Sequence, residues 1–560
     1  MIIMDNTLDQ PKHRIRRHRL RRELTFPQLV MIGVVGALGN GALFGTIEMV
    51  GFAGPGAILA FVFGAFIYSL VGFTYMELSR VYPEAGGPTR YSIYTHGRMT
   101  NLINSFSDLV WYIFIPPIEV VAILYGLDYF FKDAFINSLG HPTVIGVLAG
   151  AAMLLAFVPF NYFGIKKFGT STLKIGIVKL FFYLSLVIGL IGAVFNYKNL
   201  YSYGVLPYGG VAVLGIMPFA MYDFGSIRVI PDLAEETKLK EKIPKAIIMT
   251  VIIESLIYIG IAFAVIMGFH WSTFNISRGN FLGLYDAVAN KTNPFFTFAG
   301  NTGILYILIA ALITGLLTPF VTGYIYLGSG TRVLFAMGRS GFISKALKKI
   351  DVKHAVPIWS LIIFAVLGAV LVLVTAPDPS IYTFIDDATA AGYLGLVVNP
   401  IALMVTRRQG VTRPDQMVRG MKILAPLSVG LSSLIVFWTG WPSEPYAVML
   451  VAAASAVFGI LGRVKIGARN AMWYMVYIVY ITVMVMIGSD GFTGPMISFL
   501  GYHGPLGSLI PFTWATGIVI AVTIAVFYPW GVLSGFKDQF SHREWTDPYI
   551  DQRAEDQTVP

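Results

Sequence analysis

Two apolar stretches of this chain carry residues that loosen a helix in the place where lipid would demand an unbroken one. Gly33, Gly36, Gly39, Gly41 and Gly45 fall within thirteen residues of the run 27–50. The run 210–233 is interrupted by Gly215, Pro218, Gly225 and Pro231. Glycine costs about 1 kcal/mol relative to alanine inside a helix. Non-helical backbone at membrane depth is tolerated only where it lines a cavity or is buried in protein. Two such interrupted runs point to a site built from broken helices, with freed amides facing a carboxylate and freed carbonyls facing an ammonium or another cation. Glycines spaced three or four apart also serve close helix packing, and for 27–50 taken alone both readings stand.

Ionisable residues inside apolar runs are the second source of chemistry, since each costs at least about 2.5 kcal/mol to insert. Lys179 lies within the apolar stretch 175–190, too deep for its amine to reach water easily. An amine held there can exchange a proton during a working cycle or serve as a structural donor to the carbonyls of a helix break. Arg228 can pair with Asp232 one turn on, with Asp223 or Glu119 across helices, or with an anionic group of a substrate. Asp386 and Asp387 begin a later run and are readable as interfacial. Glu48, Glu77, Asp108, Glu119 and Glu254 are further candidates for pairing or proton relay.

The elements that must position these residues follow from composition. Hydrophobic residues make up 56% of the 560 and charged residues only 12%, against roughly 25% in soluble domains, so the surrounding solvent is mainly lipid. Runs of about 20 apolar residues suffice to cross a bilayer. Fourteen candidates stand at 27–50, 56–78, 103–130, 143–160, 172–196, 210–233, 246–268, 302–337, 357–376, 382–406, 423–440, 446–462, 470–488 and 511–534. Alternate loops on one side hold Lys132, Lys198, Arg278 and Lys291. The other set of loops and both tails hold nearly all of the remaining Lys and Arg. This positive-inside asymmetry places both termini in the cytoplasm and makes the net charge of +10 topological, with no nucleic-acid partner implied. The polar, basic start of the chain is not a signal peptide. With no cysteine, and with all eight histidines in tails, loops or span ends, neither a metal site nor a cofactor is expected. No HExxH or GxSxG pattern suggests an intramembrane enzyme.

Several motifs then appear in a fixed order. They are Gly36-Ala-Leu-Gly39-Asn40-Gly41-Ala-Leu-Phe44-Gly45 with Ala53-Gly54-Pro55, and Tyr82-Pro83-Glu84-Ala85-Gly86-Gly87-Pro88 with Tyr91 and Tyr94. Asn161-Tyr-Phe-Gly164-Ile-Lys166 follows, with Lys179-Leu180. Next is Phe219-Ala-Met-Tyr222-Asp-Phe224-Gly225, with Glu235-Glu236-Thr-Lys238 and Ile243-Pro244-Lys-Ala246-Ile247. The last is Thr331-Arg332-Val-Leu-Phe335-Ala-Met-Gly-Arg339-Ser-Gly341 with Pro357. The ordered set resembles the amino acid–polyamine–organocation (APC) permeases.

The resemblance implies an all-α polytopic membrane protein with a five-plus-five inverted-repeat (LeuT-like) core. Its parts would be a cytoplasmic tail 1–26, repeats at 27–196 and 210–406, added helices at 423–534 that match no motif, and a tail 535–560. It implies a multi-pass cell-membrane transporter of amino acids or related small amines. The expected partners are substrate, protons and lipid, and the mode is sodium-independent alternating access. An exchanger, a sodium-coupled symporter or a non-transporting sensor on the same fold are the alternatives. By resemblance, Gly39, Asn40 and Gly41 hold the substrate carboxylate with their amides. Ala220 to Phe224 hold its amino group with carbonyls, Tyr222 is an aromatic gate, and Tyr326 is a candidate wall residue or an ordinary packing tyrosine. Lys179 matches a lysine that stands in for sodium in sodium-independent members. Arg228 departs from the pattern, falling where many members carry an acidic gating residue, and an internal ion pair with Asp232 or Asp223 is the expectation.

Overall fold

The computed structural model describes residues 20–138, 140–288, 293–375, 381–462, 464, 468–489 and 505–538. The tail residues Lys12 to Arg19, Arg543 and Arg553, and the loop residues Lys291, Arg463 and Lys465, lie outside them.

Long apolar runs can satisfy their backbone polar groups in lipid only as helices, and the described residues form helices joined by turns, with no strand beyond two isolated bridges. The helices used below are α1 (Phe26–Ala37), α2 (Gly41–Ala53), α3 (Gly56–Val81), α4 (Gly87–His96), α5 (Arg98–Asp128), α6 (Val144–Tyr162), α7 (Ile165–Val194), α8 (Gly209–Asp232), α9 (Ile243–Met267), α10 (Leu305–Ser340), α11 (Ile358–Thr375), α12 (Ile381–Arg408), α13 (Met421–Thr439), α14 (Ser443–Leu461), α15 (Ala468–Gly488) and α16 (Phe512–Ser534). Among the described residues, twelve helices are long and apolar enough to cross a membrane. The bent pair α1 and α2 makes a thirteenth crossing if counted as one, and α11 is a shorter apolar helix. This is the architecture of a multi-pass membrane protein.

Burial sorts the helices. The most apolar stretches of α5 and α12 are 83% and 94% buried, whereas those of α6, α7 and α16 are mostly open to the surroundings. Leu148, Ile177, Ile188 and Leu256 are among the apolar side chains they and α9 turn outward. The polar content is drawn inward, around α1, α5, α8, α10 and α12.

One end of the bundle is latched by charge. Arg332 of α10 donates from Nε and Nη2 to both oxygens of Glu236, each at 2.9 Å, with both side chains buried. Arg339 meets Glu235 at 2.8 Å, and Glu235 also accepts from the amide of Ala85. The entering chain pairs there too, Leu24 with Glu236 and Lys238 with Leu24. Gly86 has φ +65°, and a Cβ there would meet the Arg332 carbonyl at 2.6 Å, which explains a glycine at this turn. Removing one partner of a buried pair leaves an uncompensated charge. Arg332→Met is therefore expected to lower stability by about 3–5 kcal/mol, read as earlier thermal unfolding in detergent, and adding Glu236→Leu is expected to recover much of the loss.

The helices after residue 409 brace α12. Tyr474 donates to the Leu394 carbonyl at 2.9 Å, and Arg408 to the carbonyls of Val532, Gly535 and Phe536. His96 bonds the Gly531 carbonyl at 2.9 Å. Burial depresses the His96 ring to about 4, which keeps it neutral in that contact.

Candidate functional site

The helix α1 stops at Ala37. Leu38 leaves helical geometry, Gly39 donates back only to Ala37, and residues 41–45 continue as a π-helical turn. The two parts are bent by 48°. The opposed helix α8 behaves differently from the expected break. It is α-helical over Gly209–Gly215 and, after a turn at Ile216, over Met217–Asp223, then tightens to a 3₁₀ stretch over Phe224–Arg228 and resumes at Val229. A 3₁₀ turn replaces the i→i−4 pattern, so the irregularity is a change of helical pitch rather than an open gap.

The glycines of α1 and α2 divide into two uses. A Cβ on Gly33 would meet Thr250 of α9 at 2.6 Å, and one on Gly36 would meet Ile325 of α10 at 3.3 Å. These serve close helix packing. A Cβ on Gly39 would collide with the carboxylate of Glu119 and stand 3.0 Å from Thr322. One on Gly41 would collide with the carboxylate of Asp223 and lie 2.9 Å from the Tyr222 ring. These two let charged side chains reach the break itself.

Glu119 of α5 sits on that break. Both its oxygens accept from the amide of Asn40, at 3.1 and 2.9 Å. The resemblance assigned this amide to a substrate carboxylate, and in this structure an internal carboxylate holds it. Glu119 carried no stronger sequence signal than four other buried acids.

Lys179 of α7 spans the other side of the same break. Its amine donates to the Val35 carbonyl at 2.6 Å, the Thr318 carbonyl at 3.1 Å and Thr322 Oγ1 at 3.1 Å. An ammonium has three donors, and all three are used. Thr322 adds bonds to the carbonyls of Val35 and Leu38. One side chain thus ties α1, α7 and α10 together. Thr322 was missed by sequence reading, although Thr314, Thr318 and Thr322 at four-residue spacing form a polar stripe on an apolar helix.

Of the residues on α8, Ala220 and Tyr222 are buried, and the Tyr222 hydroxyl donates to Asn40 Oδ1 at 3.5 Å. The carbonyls of Met221 and Asp223 accept from Tyr393 and Tyr258, so tyrosine hydroxyls reach the stretch assigned to a substrate ammonium. The Phe224 ring packs among Phe61, Tyr68 and Tyr258. Tyr326 packs against Tyr112, ring centres 5.7 Å apart. Both carboxylate oxygens of Asp223 are buried without a hydrogen-bond partner among the described residues.

Arg228 is buried, and it pairs with Asp108 of α5 at 3.2 Å. No bond joins it to Asp232, Asp223 or Glu119 among the described residues, so the expected partners are corrected. The segment Val229–Asp232 that follows Arg228 is α-helical, so the pairing is decided across helices, where Asp108 lies within reach of the guanidinium. Asp232 is instead bound by Tyr112. Asp386 and Asp387, read as interfacial, are buried within α12. Glu77 pairs with Arg407 at 2.5 Å.

A buried polar centre, set where one membrane helix bends and another changes pitch, defines a class: polytopic helical proteins that bind small polar solutes within the bilayer. Residues 28–409 match the family described as amino acid permease, and this chain belongs to that family. The chain is similar to an aspartate–proton symporter of Bacillus subtilis, 25% identical over 485 residues, covering 84% of this chain and 91% of the relative. It is also similar to the glutamate/serine transporter AimA of the same organism, 23% identical over 541 residues and covering 93% and 96%, a share that takes in much of α13–α16. The aromatic amino acid transport protein AroP of Escherichia coli is 23% identical over 463 residues, covering 79% and 95%.

Proposed function

We propose that this protein carries out secondary active transport of amino acids across the cell membrane, driven by protons and independent of sodium, by alternating access. In this reading the chain crosses the membrane fourteen times, with α11 and the α1–α2 pair each counted once. Residues 27–196 and 210–406 form two inverted repeats, 423–534 add four helices, and the tails 1–26 and 535–560 are cytoplasmic. The observation that carries the coupling is the placement of Lys179. Its ammonium joins the α1 break to α10 through three acceptors, so loss of its proton removes the charge and one of the three donors and loosens the tie between these helices. The name of the aspartate–proton symporter supports the same driving ion.

The substrate carboxylate takes over the Asn40 amide from Glu119, and its ammonium lies toward α8, where Asp223 offers an unpaired carboxylate. Displacing one carboxylate by another keeps the local charge balanced, which favours exchange at the amide over insertion into an empty apolar gap. Tyr222 closes the site from the α8 side.

The test is uptake of labelled amino acids by purified protein in liposomes. With an inward proton gradient and sodium replaced by choline, accumulation is expected to persist, and a protonophore is expected to collapse it. Uptake that requires sodium, or that ignores the protonophore, contradicts the proposal.

A further inference from the structure

Arg228 presents a feature that an internal ion pair leaves unexplained. Its guanidinium is buried, yet among the described residues only Nη1 is engaged, by Asp108. Nε and Nη2 are both buried without a hydrogen-bond partner among the described residues. They are the adjacent pair that forms a planar two-pronged fork, the geometry that matches both oxygens of a carboxylate. Unmet donors on a buried cation are costly. Asp232 does not meet them, because one of its oxygens is taken by Tyr112 and the other has no partner.

The fork is one aromatic ring away from the break. The guanidinium lies 4.7 Å over Trp111 and 5.8 Å from the Tyr393 ring. Trp111 is seated in a saddle of two glycines, Gly225 in the 3₁₀ stretch of α8 and Gly392 of α12, and a Cβ on Gly392 would come within 2.9 Å of Nη2. The other neighbour of Trp111 is Tyr222, ring centres 5.6 Å apart, whose hydroxyl reaches Asn40.

We propose that the Nε–Nη2 fork of Arg228 receives the side-chain carboxylate of the substrate, so that the transported class is acidic amino acids, aspartate and glutamate. The inference rests on the transport reading above, and it gives the site a second anion position besides the Asn40 amide. Asp108 holds the guanidinium by its remaining nitrogen and is a positioning residue.

The experiment is competition uptake in liposomes with labelled aspartate or glutamate, against asparagine and glutamine, which keep the shape of the side chain and lose its charge. Wild type is expected to prefer the acids by at least about tenfold, the scale of one charged hydrogen-bonded contact. Arg228→Gln is expected to erase that preference while retaining uptake of a neutral amino acid. Arg228→Lys, which keeps the charge and loses the fork, is expected to fall between. Asp108→Asn is expected to lower the rate and keep the acid preference. A wild type that prefers neutral amino acids overturns the inference and leaves the transport reading intact, whereas a wild type that takes up no amino acid overturns the transport reading itself. Unchanged acid preference in Arg228→Gln overturns the assignment of the fork. Equal loss of every substrate in Arg228→Gln and Asp108→Asn also overturns it, in favour of a structural latch. If Arg228→Gln does not fold, the outcome rests on Arg228→Lys, and acid preference undiminished in that variant overturns the proposal.

Discussion

Lys179→Ala is expected to lose proton-driven accumulation of substrate by at least about tenfold while still inserting into the membrane. The side chain supplies three hydrogen bonds from one charged group, two of them to backbone carbonyls, Val35 beside the α1 break and Thr318 of α10. Hydrogen bonds to charged groups are worth about 1.5–3 kcal/mol each, so deleting them shifts a two-state bundle by more than a factor of ten. Thr322 continues to bond Val35 and Leu38, which keeps the break partly tied and argues that the variant folds. Lys179→Arg separates coupling from structure. A guanidinium keeps the charge and never releases its proton, so exchange of internal for external substrate is expected to continue while gradient-driven accumulation stops. Wild-type gradient dependence in Lys179→Ala contradicts the role given to this lysine.

Gly41→Leu carries the second large effect. A side chain there must displace the Asp223 carboxylate and the Tyr222 ring together, at the place assigned to the substrate. Overpacking a filled site costs about 1–3 kcal/mol, which as affinity is roughly fivefold to 150-fold, and here the displaced groups are the binding groups. Gly45 is the internal control, because nothing lies within 4 Å of a Cβ at that position. Ligand-dependent thermal stabilisation is expected to vanish in Gly41→Leu and persist in Gly45→Ala. Unchanged affinity in Gly41→Leu removes that residue from the site.

The parts of this molecule legible from sequence are those encoded locally. Apolar runs of the right length set out the long helices, the glycine run of 27–50 marked the bend at 38–40, and Lys179 stood out because its charge is isolated among Ile175 to Leu190. What sequence could not supply depends on which helix faces which. Gly33 and Gly41 have the same chemistry and similar spacing, yet one packs on Thr250 and the other admits Asp223, a difference made by atoms two hundred residues away. Arg228 was expected to find Asp232 one turn on, and the fold instead set Asp108 of α5 within 3.2 Å of it. Glu119 was one acid among several until the fold placed it on the amide of Asn40. Thr322 carries no charge to draw notice, although it bridges Lys179 and the α1 break.

A structure determined with a bound amino acid tests the central claim most directly. The account predicts density between residues 38–41 and 220–225, with the substrate carboxylate on the amide of Asn40 and Glu119 withdrawn from it. An amino acid bound elsewhere in the bundle, with Glu119 still holding the Asn40 amide, would contradict it.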